Sequence, residues 1–254
     1  MRIRGGSVIT DVGIDLDGVM YDFASVFHEF VQNRSGITLP KPTKWDFYKD
    51  WGMTDKDFDD LLAEAIENTR IFDSIAPMEN TIEGWNLLKA NDIKIHVLTH
   101  RGHLAYAQTV NWLTRYGLIP DSLHFGNDKT ILSTIALDEC AAIDDYTLYY
   151  DKYEKANILS FMRTQPWNGE KYARRVDDLL EFAEKVVTLN NSKKALIELP
   201  SKKSRTIAPK EPDFIKFSPN KEQQTFTNPK TFNPHEKYPG YYKGYSNDWR
   251  PNGK

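Results

Sequence analysis

Residues 15–18 read Asp-Leu-Asp-Gly and follow directly on an apolar run, Val12-Gly13-Ile14. Side chains alternate across a strand, so Asp15 and Asp17 project to one side while Leu16 points to the other. Gly18 lets the backbone turn immediately afterwards. Both carboxylates are then expected at the C-terminal edge of a sheet, where open α/β folds bind ligands. Such a pair presents a carboxylate nucleophile beside a proton donor. Two anions this close repel unless a cation intervenes, and an oxygen-only site of this kind suits Mg²⁺, which takes one or two carboxylates, waters and a substrate phosphate. The bland alternative is a strand that ends in an Asp-rich turn.

Further polar residues stand at or near the ends of later apolar runs. Thr99 closes the run Ile93–Leu98, Lys129 follows the run Leu123–Phe125, and Asp144-Asp145 close the run Cys140–Ile143. Taken singly, Lys129 reads as a solvated lysine, Thr99 as a helix cap, and Asp144-Asp145 as a turn or cap. Taken in order with the aspartate pair, they are parts that phosphoryl transfer from a monoester needs.

The elements that must position these residues follow from periodicity. Strands are expected over 12–16, 93–98, 123–125, 140–143 and 158–161. Helices are expected near 23–31, 54–66, 82–88 and 104–116, from about 130, and over Val176–Ala183. Alternating strands and helices predict a doubly wound α/β fold with a parallel sheet. Residues 23–76 interrupt that alternation with helical, aromatic sequence and are expected to form an inserted cap. The catalytic core is then 1–22 and 77–189.

The ordered set Asp15-x-Asp17-Gly-Val, Thr99, Lys129 and Asp144-Asp145 resembles the haloacid dehalogenase superfamily of phosphotransferases. The strings Asp15–Phe23, Phe72 with Ile75-Ala-Pro77, Asp128-Lys-Thr130 and Ile143-Asp-Asp145 look like its 5′(3′)-deoxyribonucleotidase branch, which has bacterial and phage members. The similarity covers roughly 12–185. It implies a HAD-like Rossmannoid core and an aspartyl-phosphate mechanism. Asp15 would be the nucleophile, Asp17 the general acid/base, Thr99 a phosphate ligand and Lys129 a charge-balancing group. Asp15, the Asp17 backbone carbonyl and Asp144 would hold Mg²⁺, with Asp145 in or just outside that shell. Where animal members carry Thr-Ser-Pro and Asp-Asp-Arg, this chain has Thr99-His100-Arg101 and Asp144-Asp145-Tyr146. Arg101 therefore either reaches the phosphate in their place or lies exposed on a loop.

The expected substrate is a (deoxy)nucleoside monophosphate. Trp45, Phe47, Trp51 and Phe72, with His100 and Arg101, are the candidate substrate contacts, the aromatic ones through base stacking. The competing reading gives most of these aromatics to the cap's own core. Alternative functions are a phosphatase for sugar phosphates or nucleic-acid ends, and an adaptor acting through the C-terminal tail.

From residue 190 onward, eleven Lys and two Arg face six acids, a net of +7, which leaves residues 1–189 at −10 within a whole-chain charge of −3. An acidic body disfavours tracking a nucleic-acid backbone. The tail holds eight of the thirteen prolines, many aromatics and no periodicity. It is expected to be extended or disordered, with a protein or nucleic acid as partner. No apolar run approaches the roughly 20 residues of a membrane span, no signal segment is evident, and Cys140 has no cysteine partner. A cytoplasmic location, that of the host if the protein is viral, is expected.

Overall fold

The computed structural model describes residues 8–198. Six strands form, five of them on the apolar runs: β1 (Ile9–Ile14), β2 (Lys94–Thr99), β3 (Ser122–Phe125), β4 (Glu139–Asp144), β5 (Leu159–Arg163) and, outside those runs, β6 (Arg175–Val176). All pair in parallel, in the order β3-β2-β1-β4-β5-β6. Seven helices join them: α1 (Phe23–Ser35), α2 (Asp55–Asn68), α3 (Thr81–Ala90), α4 (Tyr106–Arg115), α5 (Leu132–Ile135), α6 (Thr147–Lys155) and α7 (Leu179–Glu198).

Strand alternation splits the core in two. Val12, Ile14, Ile95, Val97, Ala141 and Ile143 leave one face and pack with Trp85 of α3, Trp112 of α4 and Phe182 of α7. Leu98, Cys140 and Ala142 leave the other and meet Leu132 of α5 and Tyr149 and Tyr153 of α6. Both faces are covered, and β4 accordingly reads as a continuous apolar run, Cys140–Ile143, while the buried polar residues Asp11 of β1 and His96 of β2 satisfy each other, with His96 Nε2 2.8 Å from Asp11 Oδ1. The doubly wound parallel sheet is the architecture expected from the sequence.

Residues 23–76 contribute α1, α2 and a short 3₁₀ turn at Phe47–Trp51. Asp22 caps α1 through its Oδ1, which accepts from Ser25 N at 3.1 Å. Thr54 and Asp57 form a reciprocal capping box on α2, which satisfies backbone donors that helix geometry leaves unpaired. Phe27 gathers the rings of Phe58, Phe47 and Trp51 around it at centroid distances of 4.9, 6.4 and 6.4 Å.

Three expectations are corrected. β1 stops at Ile14 rather than Leu16, so Asp15–Asp17 lie just beyond the strand, although Asp15 N still bonds Ile143 O at 3.1 Å. Val176, read as the start of the closing helix, belongs to the two-residue strand β6. The helix begins only after Asp178, whose Oδ1 caps Glu181 N at 2.8 Å. Residues 190–198, read as the start of the tail, continue α7, because the apolar positions Phe182, Ala183 and Val186 extend to Asn190 at helical spacing. Asn190 is buried and grips Ile9 from both sides: its Oδ1 accepts from Ile9 N at 2.7 Å and its Nδ2 donates to Ile9 O at 2.8 Å. The expectation of an extended, partner-binding tail over 199–254 concerns residues outside those described.

Candidate active site

β1 is flanked by β2 and β4, with Ile14 in register with Val97 and with Ile143. The polar residues that follow these strands therefore converge at one sheet edge. Asp15, Thr99, Lys129, Asp144 and Asp145 are all buried there. Lys129 stands in a 3₁₀ turn whose N-cap, Asp128, accepts from Thr130 N at 3.0 Å. Its Nζ lies 2.9 Å from Asp15 Oδ1, 2.8 Å from Asp144 Oδ2 and 4.5 Å from the centre of the Tyr149 ring. Tyr153 donates its hydroxyl to the same Asp144 oxygen at 3.3 Å, and Asp144 Oδ1 accepts from Tyr146 N at 3.0 Å.

Burial dominates the electrostatics. It pushes the Asp15 carboxyl up to about 7, against the pull of Lys129 and with a further push from Asp144 and Asp17. Burial, followed by Asp15 and Asp144, raises Asp145 well above the usual carboxylate range. For Lys129 burial opposes the charge, but Asp144 and Asp15 outweigh it and the ammonium is held well above its ordinary value. Burial and the neighbouring Lys129 and Lys152 push His100 down to about 4, so this ring is neutral at physiological pH.

Carboxylate oxygens of Asp15, Asp144 and Asp145 come within 4.8 Å of one another. Asp145 Oδ1 is buried without a hydrogen-bond partner, while Oδ2 accepts from the Trp167 indole at 3.0 Å. Four carboxylates at this edge, counting Asp17, face two cations, Lys129 and Arg101. An orphaned buried carboxylate oxygen is the kind of atom that a metal satisfies. The donor set is all oxygen, which fits Mg²⁺.

Thr99 ends β2 and its Oγ1 accepts from Arg101 N at 3.2 Å. Arg101 is not exposed on its loop. It is 1% accessible, and its guanidinium engages Asp17: Nε lies 2.9 Å from Oδ2 and Nη2 lies 2.7 Å from Oδ1. His100 is hydrogen-bonded to the Tyr149 hydroxyl, which also donates to Asn127 O at 2.9 Å.

The cap aromatics divide between two roles. Phe47 and Trp51 pack around Phe27, with the Trp51 indole donating to Pro40 O at 2.9 Å, and Phe72 is fully buried against Phe23. Trp45 alone is exposed. It stacks on Tyr146 with ring centres 4.1 Å apart and an interplanar angle of 13°, and it meets Trp167 edge-on at 6.4 Å.

Sequence reasoning missed the loop between β5 and β6. Gln165 Nε2 donates to Gly18 O at 2.6 Å, Asn168 Nδ2 donates to Asp145 O at 2.8 Å, and Trp167 holds the Asp145 side chain. The string Gln-Pro-Trp-Asn-Gly signals only a turn, so nothing local marks it as part of the site.

No family model and no curated protein matches the chain. Solved structures do. A predicted phosphatase from Clostridium acetobutylicum superposes with a TM-score of 0.55 at 15% identity, covering 72% of this chain and 100% of that one. A HAD-superfamily hydrolase, subfamily IA, variant 1, from Geobacter sulfurreducens gives 0.51 at 17% identity, covering 72% and 99%. A phosphonoacetaldehyde hydrolase like protein from Oleispira antarctica gives 0.51 at 13%, covering 77% and 97%. The fold is the HAD-like Rossmann fold, and likeness at these identities speaks for the fold alone. Among the described residues, no helix is long and apolar enough to cross a membrane.

Proposed function

We propose that this protein is a Mg²⁺-dependent phosphomonoester hydrolase that acts on (deoxy)nucleoside monophosphates through an aspartyl-phosphate. The observation that carries the reading is the convergence of Asp15, Asp17, Thr99, Lys129, Asp144 and Asp145 at adjacent strand ends, with Lys129 bridging Asp15 and Asp144.

An Asp15 oxygen attacks phosphorus. The bond from phosphorus to the leaving oxygen breaks, and Asp17 gives that oxygen a proton. A water then attacks the phosphoryl group and loses its proton to Asp17. The bond to Asp15 breaks and inorganic phosphate leaves. Thr99 donates a hydrogen bond to a phosphate oxygen, and Lys129 offsets the negative charge that accumulates beside Asp15. Asp15, Asp144, Asp145 and the Asp17 carbonyl would hold a divalent cation, which supplies positive charge against the transferring group's oxygens. The helical segment 23–76 serves as a cap that excludes water and selects the leaving group.

The nucleotide reading is supported by the exposed Trp45 and its partners Tyr146 and Trp167. These flat rings lie beside a residue of the acidic cluster, where a planar base can stack. The test is turnover of a monophosphate panel with and without Mg²⁺, for the native chain and for Asp15→Asn. Nucleoside monophosphates are expected to lead the panel, with at least a roughly 10³-fold loss in the variant. Metal-independent turnover, or full activity of Asp15→Asn, sinks the mechanism.

A further inference from the structure

The Arg101 guanidinium lies at the meeting point of three parts of the molecule. Nε and Nη2 grip both oxygens of Asp17, and Nη1 donates to Thr109 Oγ1 of α4 at 3.0 Å. One aromatic ring, Phe72, stands 4.2 Å from Cζ, and a second, Tyr21, stands 4.9 Å away. Tyr21 and Phe72 sit where the chain enters and leaves segment 23–76, and the Tyr21 hydroxyl ties the two crossings together by donating to Ile71 O at 2.5 Å. The Arg101 side chain is wholly buried, whereas Asp17 keeps 21% of its side chain accessible.

An arginine meant for a substrate phosphate presents free donors to the cleft. Here each of the three nitrogens already donates to a partner inside the protein, Nε and Nη2 to Asp17 and Nη1 to Thr109, and a guanidinium is planar, so bidentate pairing sets the orientation of its partner carboxylate. The rings and Thr109 in turn fix the guanidinium.

We infer that Arg101 is the positioning residue for Asp17. It locks that carboxylate in a single orientation and ties it to both chain crossings of the helical segment, so that the placement of the acid/base depends on the placement of the segment that covers the site. This rests on the phosphatase reading above.

A double-mutant cycle on the full chain tests it, with steady-state turnover of a nucleoside monophosphate and competitive inhibition by inorganic phosphate as readouts. Arg101→Gln is expected to lower kcat about 10–100-fold with KM and the phosphate inhibition constant changed less than about twofold, because only the acid/base contribution is lost. In an Asp17→Asn background the same change should cost less than about twofold, since a residue acting through Asp17 has nothing left to position. Arg101→Lys, which keeps the charge and stem but not the fork, should recover part of kcat, and it serves as the arm of the cycle if the glutamine variant does not fold. Equal losses in both backgrounds, or a tenfold weaker grip on phosphate, overturn the inference and return Arg101 to structure or to the substrate. Absence of turnover in the native chain overturns the phosphatase reading, and this inference with it.

Discussion

A Cβ on Gly18 would stand 2.1 Å from Oδ2 of Asp145, closer than any real contact. Gly18 also has φ +81°, a left-handed conformation that L residues rarely adopt, and its carbonyl is held by Gln165. The glycine after the paired aspartates therefore turns the chain and also leaves room for a buried carboxylate delivered from another strand.

Gly18→Ala is expected to displace Asp145 and to destabilise the fold by about 1–3 kcal/mol from backbone strain. Its diagnostic effect is on metal dependence: the Mg²⁺ concentration for half-maximal turnover should rise several-fold, more than KM for substrate does. An unchanged metal requirement would show that Asp145 is dispensable to the cation.

Stability and metal binding are expected to be linked through pH. Asp15 titrates at about 7 in the fold against 3.8 as its reference, so between these values the folded form holds the extra proton. Its contribution to stability is complete below about 4 and is lost as pH rises to about 7. A divalent cation must displace that proton, so Mg²⁺ should raise the thermal midpoint more at pH 7.5 than at pH 5. At a hundredfold excess over Kd the gain is about 2.7 kcal/mol, or roughly 5–10 °C for a domain of this size. Differential scanning fluorimetry in EDTA and in MgCl₂ at the two pH values decides it, and an equal shift at both refutes the linkage.

Trp45→Ala and Tyr146→Ala should each raise KM for nucleoside monophosphates about 5- to 150-fold, from the roughly 1–3 kcal/mol that a base gains by stacking. Glycerol phosphate, with no flat group, should be indifferent to both changes. A parallel loss on the two substrates would assign the stack to holding the cap instead.

The tail prediction depends on where the chain is cut. A chain ending at Glu198 keeps the Asn190 bonds to Ile9 and should turn over substrate at the native rate. One ending at residue 189 leaves the Ile9 backbone groups without that partner, a loss of about 1–3 kcal/mol for each buried group. Thermal midpoints of the two truncations separate them. Retained turnover by the longer one with loss of a partner in pull-down would mark residues 199–254 as an adaptor.

How much of this was readable beforehand depended on whether a residue belongs to a periodic element. Asp15, Thr99 and Asp144 were readable because each follows an apolar strand whose alternation dictates which way the next side chains point. Lys129 was readable only by its place in that order, since a short 3₁₀ turn has no periodicity of its own. Arg101 was singled out but assigned to substrate, because burial of a loop arginine is set by Phe72 and Tyr21, far away in sequence. Trp167 and Asn168 lie in a loop whose composition marks only a turn. β6 was missed because two residues are too few to show alternation, and Asn190 because a polar side chain at a core position of a helix reads as that helix's end.

β1 pairs with β2 and with β4, and neither neighbour lies close to it in the chain. The bond between Lys129 and Asp15 likewise closes a loop of more than one hundred residues. Parallel pairing of this kind forms slowly, because chain entropy is lost before contacts compensate. Asp15 therefore gains its full set of buried partners, Lys129 and the Asp144 that Lys129 bridges, only when β1 has found both of its distant neighbours. The site is thus a product of the whole sheet and not of its first segment, and it cannot outlast the pairing of the central strands.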